Sequence, residues 1–176
     1  PQLRGMFSIA VYDKSKKRLS LIRVRFGEKP LYYGWVKSGD KNIFSFGSEL
    51  KAFSCLPGFT NNISKIALKE FFQYMYVPCP LSIYENIYKL EPGCILEIDE
   101  QAPDNPSATP LHSSSDKTIT FGSIALKRWY DLKSVVESQT ELFKNEAEAT
   151  EEIESELKTV INLQSISDVP LGAFLS

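Results

Sequence analysis

The side chains able to do chemistry in this sequence are few. Cys55, Cys79 and Cys94 form an odd set with no C-x-x-C pair, and His112 is the single histidine. A zinc site takes about four ligands, mostly Cys and His at short spacings, so no residue is assigned to a metal. The three thiols read as reduced, each a small core residue rather than a nucleophile. His112 falls in a Pro- and Ser-rich stretch with no rigid scaffold to hold it, and reads as solvent-exposed. Asp13, Asp99 and Glu100 fall at strand ends, where carboxylates commonly form turns. Glu146, Glu148, Glu151 and Glu152 crowd the start of a helix and complement its dipole, so the run reads as a solvated helix start. The sequence has no Gly-rich phosphate loop and no His-Glu-x-x-His. Residue types and spacing alone name no reaction, and no catalytic residue is assigned.

The elements that would position these groups are clearer. Phe7, Ile9 and Val11 alternate, a charged turn follows at residues 13–17, and Leu19, Leu21 and Arg23 resume the alternation. This predicts an antiparallel hairpin. A turn at residues 26–30 holds Gly27 and Pro30, and strands are predicted at residues 31–36 and 42–46. Together these make a meander of four successive strands. Ser48 is predicted to cap a short helix at residues 49–54, and Ser64 a longer one running to Tyr74. The longer helix has Leu68, Phe71, Phe72 and Met75 on one face. Cys94–Asp99 is a further strand. Residues 100–118 offer almost nothing to bury and read as a linker at a domain edge, on which Trp129 and Tyr130 are a docking anchor. Asn145 opens an acid-rich helix with Ile153, Leu157, Val160 and Ile161 as its buried stripe. Residues 169–176 are an apolar run that reads as a buried strand cut short.

The chain has 176 residues, 43% of them hydrophobic and 24% charged, with a formal charge of −2. Such a balance gives no electrostatic case for nucleic acid, which asks for a clustered basic excess. No run approaches the roughly 18 apolar residues of a membrane helix, and the first residues show no targeting pattern. Neither nucleic acid nor a membrane is expected as a partner, and the location is expected to be cytoplasmic. The first residue is Pro, so the chain reads as a piece of a longer protein.

Whole words of the sequence carry more than its periodicities. Leu3-Arg4-Gly5-Met6-Phe7-Ser8-Ile9-Ala10-Val11-Tyr12-Asp13 resembles the "LRGMFAFALYD" strand of the glutamine-hydrolysing asparagine synthetase family. Arg23-Val24-Arg25-Phe26-Gly27-Glu28-Lys29-Pro30-Leu31-Tyr32-Tyr33-Gly34 resembles its "RDRFGEKPLYYG", and Phe46-Gly47-Ser48-Glu49-Leu50-Lys51-Ala52 its "FASELKAL". The stretch from Tyr74 to Tyr84 resembles "YGYVPAPLSIY", and Lys89-Leu90-Glu91-Pro92-Gly93 resembles "KLPPG". From Ser167 to Ser176 the chain is similar to the opening of "SDVPVGAFLSGGIDSS". The motifs stand in family order and cover nearly the whole chain outside the linker.

The resemblance implies an α+β fold. Residues 1–99 would be the later half of a class II glutamine amidotransferase domain, a partial αββα sandwich of the Ntn-hydrolase type. Residues 100–135 would be a linker, and residues 136–176 the start of an α/β ATP-pyrophosphatase-type synthetase domain. The implied parent enzyme takes ammonia from glutamine at an N-terminal cysteine. It carries the ammonia through a tunnel and joins it to aspartate, which ATP and magnesium have activated. Glutamine, aspartate and ATP are the implied partners, and the oligomeric state is not read.

By the same resemblance, Leu175 and Ser176 belong to the ATP-binding loop. Met6 lies by the ammonia tunnel, with ordinary core packing as the open alternative. The nucleophile and the glutamine-binding motifs lie upstream of Pro1 in the family. The 176-residue chain alone is therefore expected to be inactive and to bind no cofactor tightly. A relative that amidates a sugar or antibiotic precursor, or closes a β-lactam ring, stays open, as does a non-catalytic scaffold. Val24 departs from the family, which has Asp there, and raises the question of a lost ion pair with Arg23 or Arg25.

Overall fold

The computed structural model describes residues 3–100, 111–114, 117–138 and 143–174. The chain divides into two units, one spanning Phe7–Asp131 and one made of Pro1–Met6 with Leu132–Ser176.

Among its described residues, the first unit holds eight strands in two sheets. Strands β1 (Ser8–Asp13), β2 (Arg18–Arg23), β6 (Cys94–Asp99), β8 (Ile124–Arg128) and β7 (Ile119–Phe121) form an antiparallel five-stranded sheet in the order β1-β2-β6-β8-β7. Strands β4 (Lys41–Gly47), β3 (Tyr32–Ser38) and β5 (Ile87–Lys89) form a three-stranded sheet in the order β4-β3-β5. The four strands read as one meander are thus two hairpins in different sheets. The turn at residues 26–30 does not fold β3 back beside β2; it carries the chain across to the second sheet. The reason is burial. Leu21 on β2 and Tyr33 and Trp35 on β3 belong to the same buried cluster, and facing sheets remove them from water together.

Between the sheets, Leu21, Leu96 and Leu126 make a cross-strand row, each fully buried. Ile98 and Ile124 form the next row. Burying a side chain of this size contributes about 1.5–3 kcal/mol. Strand β3 is the central strand of its sheet and is apolar on both faces. Tyr33 and Trp35 point into the main core, while Tyr32 and Val36 point to a second cluster with Phe53 and Ile87. That outer face is covered by a 3₁₀ helix, Leu50–Cys55, and by Phe59 stacked edge-on against Tyr84.

Several expectations need correction. Residues 119–128, read within a linker, are the β7–β8 hairpin; β8 is the neighbour of β6, and its Ile124 and Leu126 complete the core. Leu111 also packs against that core, while residues 101–110 and 115–116 of the linker lie outside the described residues. The short helix is 3₁₀ with Glu49 at its N-cap and no side-chain cap bond, so Ser48 does not cap it. Cys55, at its end, is exposed rather than a core residue; Cys79 is partly buried and Cys94 buried. Helix α1 (Lys65–Tyr74) does begin on Ser64, whose hydroxyl accepts from the Ala67 amide. Its apolar face is open, with Phe72 and Met75 largely exposed.

In the second unit, α2 (Leu132–Ser138) and α3 (Glu146–Gln164) bury no residue. Asn145 caps α3 by accepting from the Glu148 amide at 2.9 Å, and the Glu148 carboxylate accepts from the Lys144 amide at 3.0 Å. The stripe expected to be buried is exposed, Leu157 by 55% and Ile161 by 60%, because nothing among the described residues covers it. Residues 169–174 form no strand and are exposed, having no partner strand to pair with. No described helix is long and apolar enough to cross a membrane.

Candidate functional site

Among the described residues of the sandwich, the one buried charge is Arg23, delivered by strand β2. Alternation from Leu19 and Leu21 turns Arg23 inward, where the residue is only 6% exposed. A buried guanidinium must have its N–H groups satisfied, and here main-chain carbonyls do it. Nη1 donates to the Leu90 carbonyl at 2.5 Å, Nη2 to the Gly27 carbonyl at 2.6 Å and Nε to the Lys29 carbonyl at 3.1 Å. The Cys79 sulfur lies 3.5 Å from Nη1. Gly27 has φ of +71°, and a Cβ there would stand 2.9 Å from the guanidinium carbon and 2.8 Å from Pro92. A side chain there would be strained by the positive φ and would press on the guanidinium and Pro92.

Around that clamp the loops at one end of the sandwich converge. The Val24 carbonyl accepts from the amides of Gly27 and Gly93, and the Gly93 carbonyl accepts from Trp129 and Tyr130. Arg25 places its guanidinium 5.5 Å from the Trp129 ring centre and 5.7 Å from that of Tyr130. The Lys89 amide donates to Pro80 and its ammonium to Val77, 5.8 Å above the Tyr32 ring. Three stretches that resemble the family's words, at residues 23–34, 74–84 and 89–93, therefore meet on one arginine. Trp129 and Tyr130 are an anchor, as expected, but for Arg25 and the residue 93 turn rather than for a linker.

Beside the clamp lies an ion pair that the sequence did not disclose. Glu91 accepts from Arg128 at 3.0 Å and from the Ser113 amide and hydroxyl, with the His112 ring nitrogen 3.6 Å away. The signal was present in the word itself, since Glu91 stands where the family pattern "KLPPG" has Pro. Its partner is 37 residues along the chain, in a strand read as linker. His112 is exposed, as expected, though beside a carboxylate.

Burial pushes the Cys94 thiol up, which keeps its proton on and its sulfur unreactive. Burial raises the Tyr33 hydroxyl as well. The described residues include no group of three or more His, Cys, Asp or Glu that could hold a metal. Val24 is 3% exposed, and an Asp there would meet core rather than water. Arg23 is satisfied by carbonyls and Arg25 by aromatic rings, so neither needs a carboxylate at that position. Met6 is 40% exposed and belongs to neither buried cluster. Leu175 and Ser176 lie outside the described residues.

Comparison with known proteins agrees with the words. The chain is 30% identical over 179 residues to a putative glutamine-hydrolyzing asparagine synthetase 2 of Methanocaldococcus jannaschii, covering 99% of this chain and 29% of that protein. Asparagine synthetase 1 of Bacillus subtilis, also glutamine-hydrolyzing, is 29% identical over 177 residues, covering 99% of this chain and 23% of its own length. A putative glutamine-hydrolyzing asparagine synthetase of Mycobacterium tuberculosis is 34% identical over 104 residues, 58% of this chain and 16% of its own. The chain thus spans less than a third of the length of the curated relatives it matches. Residues 1–108 match the family model of the glutamine amidotransferase domain, and the chain belongs to that family.

Proposed function

We propose that this chain is part of a glutamine-dependent asparagine synthetase, converting ATP, aspartate and glutamine to asparagine, glutamate, AMP and pyrophosphate. The observation that carries the reading is the run of similarity to relatives of that printed name along 99% of the chain. In this reading the sandwich is the support of the glutamine-hydrolysing site, and the Arg23 clamp holds the end where the family's words converge. The chain does not supply the nucleophile: Cys94 is sealed in the core, Cys79 sits against the clamp, and Cys55 lies at the end of a surface helix.

Met6 would stand on the ammonia path, where a thioether gives a small neutral molecule an apolar wall that neither protonates it nor competes for it. Residues 136–176 would open the synthetase domain, with Leu175 and Ser176 at the nucleotide. ATP with magnesium would supply activation of the aspartate carboxylate. A cytoplasmic location follows from the substrates.

The test is isotopic. The protein expressed from the full reading frame that encodes these residues is given amide-¹⁵N glutamine, aspartate, ATP and magnesium. Label in the asparagine amide supports the reading. Label that stays in glutamine, or leaves as free ammonia whatever the aspartate concentration, contradicts it and favours another acceptor or a scaffold.

A further inference from the structure

Beside the clamp, residues 111–114 lie against the core, and what holds them differs from what holds the strands. Leu111 packs on the main buried cluster. Among the described residues, no main-chain hydrogen bond ties these four residues to the sandwich. Their polar ties run through Ser113 instead. Its amide donates to the Glu91 carboxylate at 3.1 Å and its hydroxyl donates to the same oxygen, while that hydroxyl accepts from Arg128 Nη2 at 2.5 Å. His112 adds a ring nitrogen 3.6 Å from Glu91, carried on an exposed side chain.

These ties close over Cys94. Cys94 is the first residue of β6 and is fully buried, and its thiol lies against the Ser113 side chain with Arg128 and Glu91 close by. Its register partner on β8 is Arg128, whereas β2 pairs with β6 only from Ile95 onward, so Cys94 stands at the end of the core. The ion pair above it is itself sheltered, Glu91 being 13% and Arg128 21% exposed, and salt screens such a pair only weakly.

The tie is separable from the rest of the fold. Arg128 Nη1 also donates to the Pro92 carbonyl at 3.1 Å, so β8 keeps its hold on the residue 91–93 turn without the Glu91 carboxylate. The pairing of β6 with β8 uses no side chain of Glu91 or Ser113. Segments with few buried contacts and no ladder of hydrogen bonds open locally at much lower cost than core strands.

We infer that residues 111–114 are a latched strap. Glu91, paired to Arg128, holds the strap over Cys94 by way of Ser113, and release of Glu91 uncovers the thiol while the sandwich stays folded. Closed, the strap shields Cys94 from oxidants and electrophiles; open, it admits them. The inference is independent of the proposed reaction, and its latch is Glu91, a residue at which this chain departs from the family's word.

The experiment is timed alkylation by N-ethylmaleimide of the protein expressed from the full reading frame that encodes these residues, with each cysteine peptide quantified by mass spectrometry. Cys55, which is exposed, reports the activity of the reagent. Cys94 should label far more slowly than Cys55. Glu91→Gln should speed Cys94 labelling by about tenfold or more, the scale of one lost charged hydrogen bond, with the Cys55 rate and the near-ultraviolet circular dichroism unchanged. Ser113→Ala should speed it less, since the amide remains on Glu91. Phe53→Leu, which weakens the second buried cluster, should leave the Cys94 rate unaltered. An unchanged Cys94 rate in Glu91→Gln would overturn the inference. So would equal acceleration in Phe53→Leu, which would mean that Cys94 is reached only by unfolding the sandwich. Loss of the near-ultraviolet signal in Glu91→Gln would also overturn it, since the latch would then be part of the fold.

Discussion

Strand β6 and helix α3 carry the same kind of sequence signal, an apolar side chain at every position its period requires. Only one of them is buried. Cys94, Leu96 and Ile98 disappear between β2 and β8, with β3 and β5 across the core. Ile153, Leu157, Val160 and Ile161 stay in water along a well-capped helix. Periodicity states which face an element can bury; it does not supply the surface to bury against. In the sandwich that surface comes from other strands, Leu21 standing 75 residues before Leu96 and Leu126 standing 30 after it.

Truncating one apolar residue in each region separates the two cases by the largest margin. Leu96→Ala should cost about 2–5 kcal/mol through lost burial and a cavity. Leu157→Ala should stay within about 0.5 kcal/mol, as exposed substitutions do. Urea unfolding of the two variants decides it, and equal losses would mean that α3 is packed. Arg23→Leu comes next, at about 3 kcal/mol, because three carbonyls lose a charged donor inside the core. Arg23→Lys should recover little of it, since one ammonium cannot reach all three from the same place.

Helix α3 was legible locally and illegible globally. Asn145 and Glu148 mark its start in the sequence and do so in the structure, as Ser64 does for α1. The exposure of the stripe was not legible, because burial belongs to the partner. The same holds for the strands. The turns at residues 13–17 and 38–40 are local, and both hairpins were readable. The assignment of those hairpins to different sheets rests on contacts of Leu21 with β6 and of Tyr33 with β5, which no local pattern encodes. The β7–β8 hairpin escaped notice because it buries only Ile124 and Leu126 after a long polar stretch. Of the convergent loops, the words at residues 23–34, 74–84 and 89–93 were each visible, but their meeting on Arg23 was not. Glu91 and Arg128 were invisible as a pair for the same reason.

Smaller effects sharpen the contrast further. Asn145→Ala should lower the helical signal of α3 and cost about 1 kcal/mol of helix stability, while leaving the urea midpoint of the sandwich unmoved. The smallest expected effect is at Asp13. The Ser15 hydroxyl, then the Lys16 amide, hold its carboxyl below the ordinary value of 3.8. A depressed folded value gives a contribution present above the unfolded value and lost as pH falls through the folded one. Carbon-13 NMR titration should place Asp13 below an Asp in an unstructured peptide, and Ser15→Ala should move it back up.

In the proposed function this chain supports a glutamine-using centre and does not carry its nucleophile. The most direct measurement is ammonia release from L-glutamine by the purified, folded 176-residue chain. No turnover above the uncatalysed rate is expected. Turnover that disappears in Cys79→Ala, Cys94→Ala or Cys55→Ala would contradict it and give the chain a reaction centre of its own.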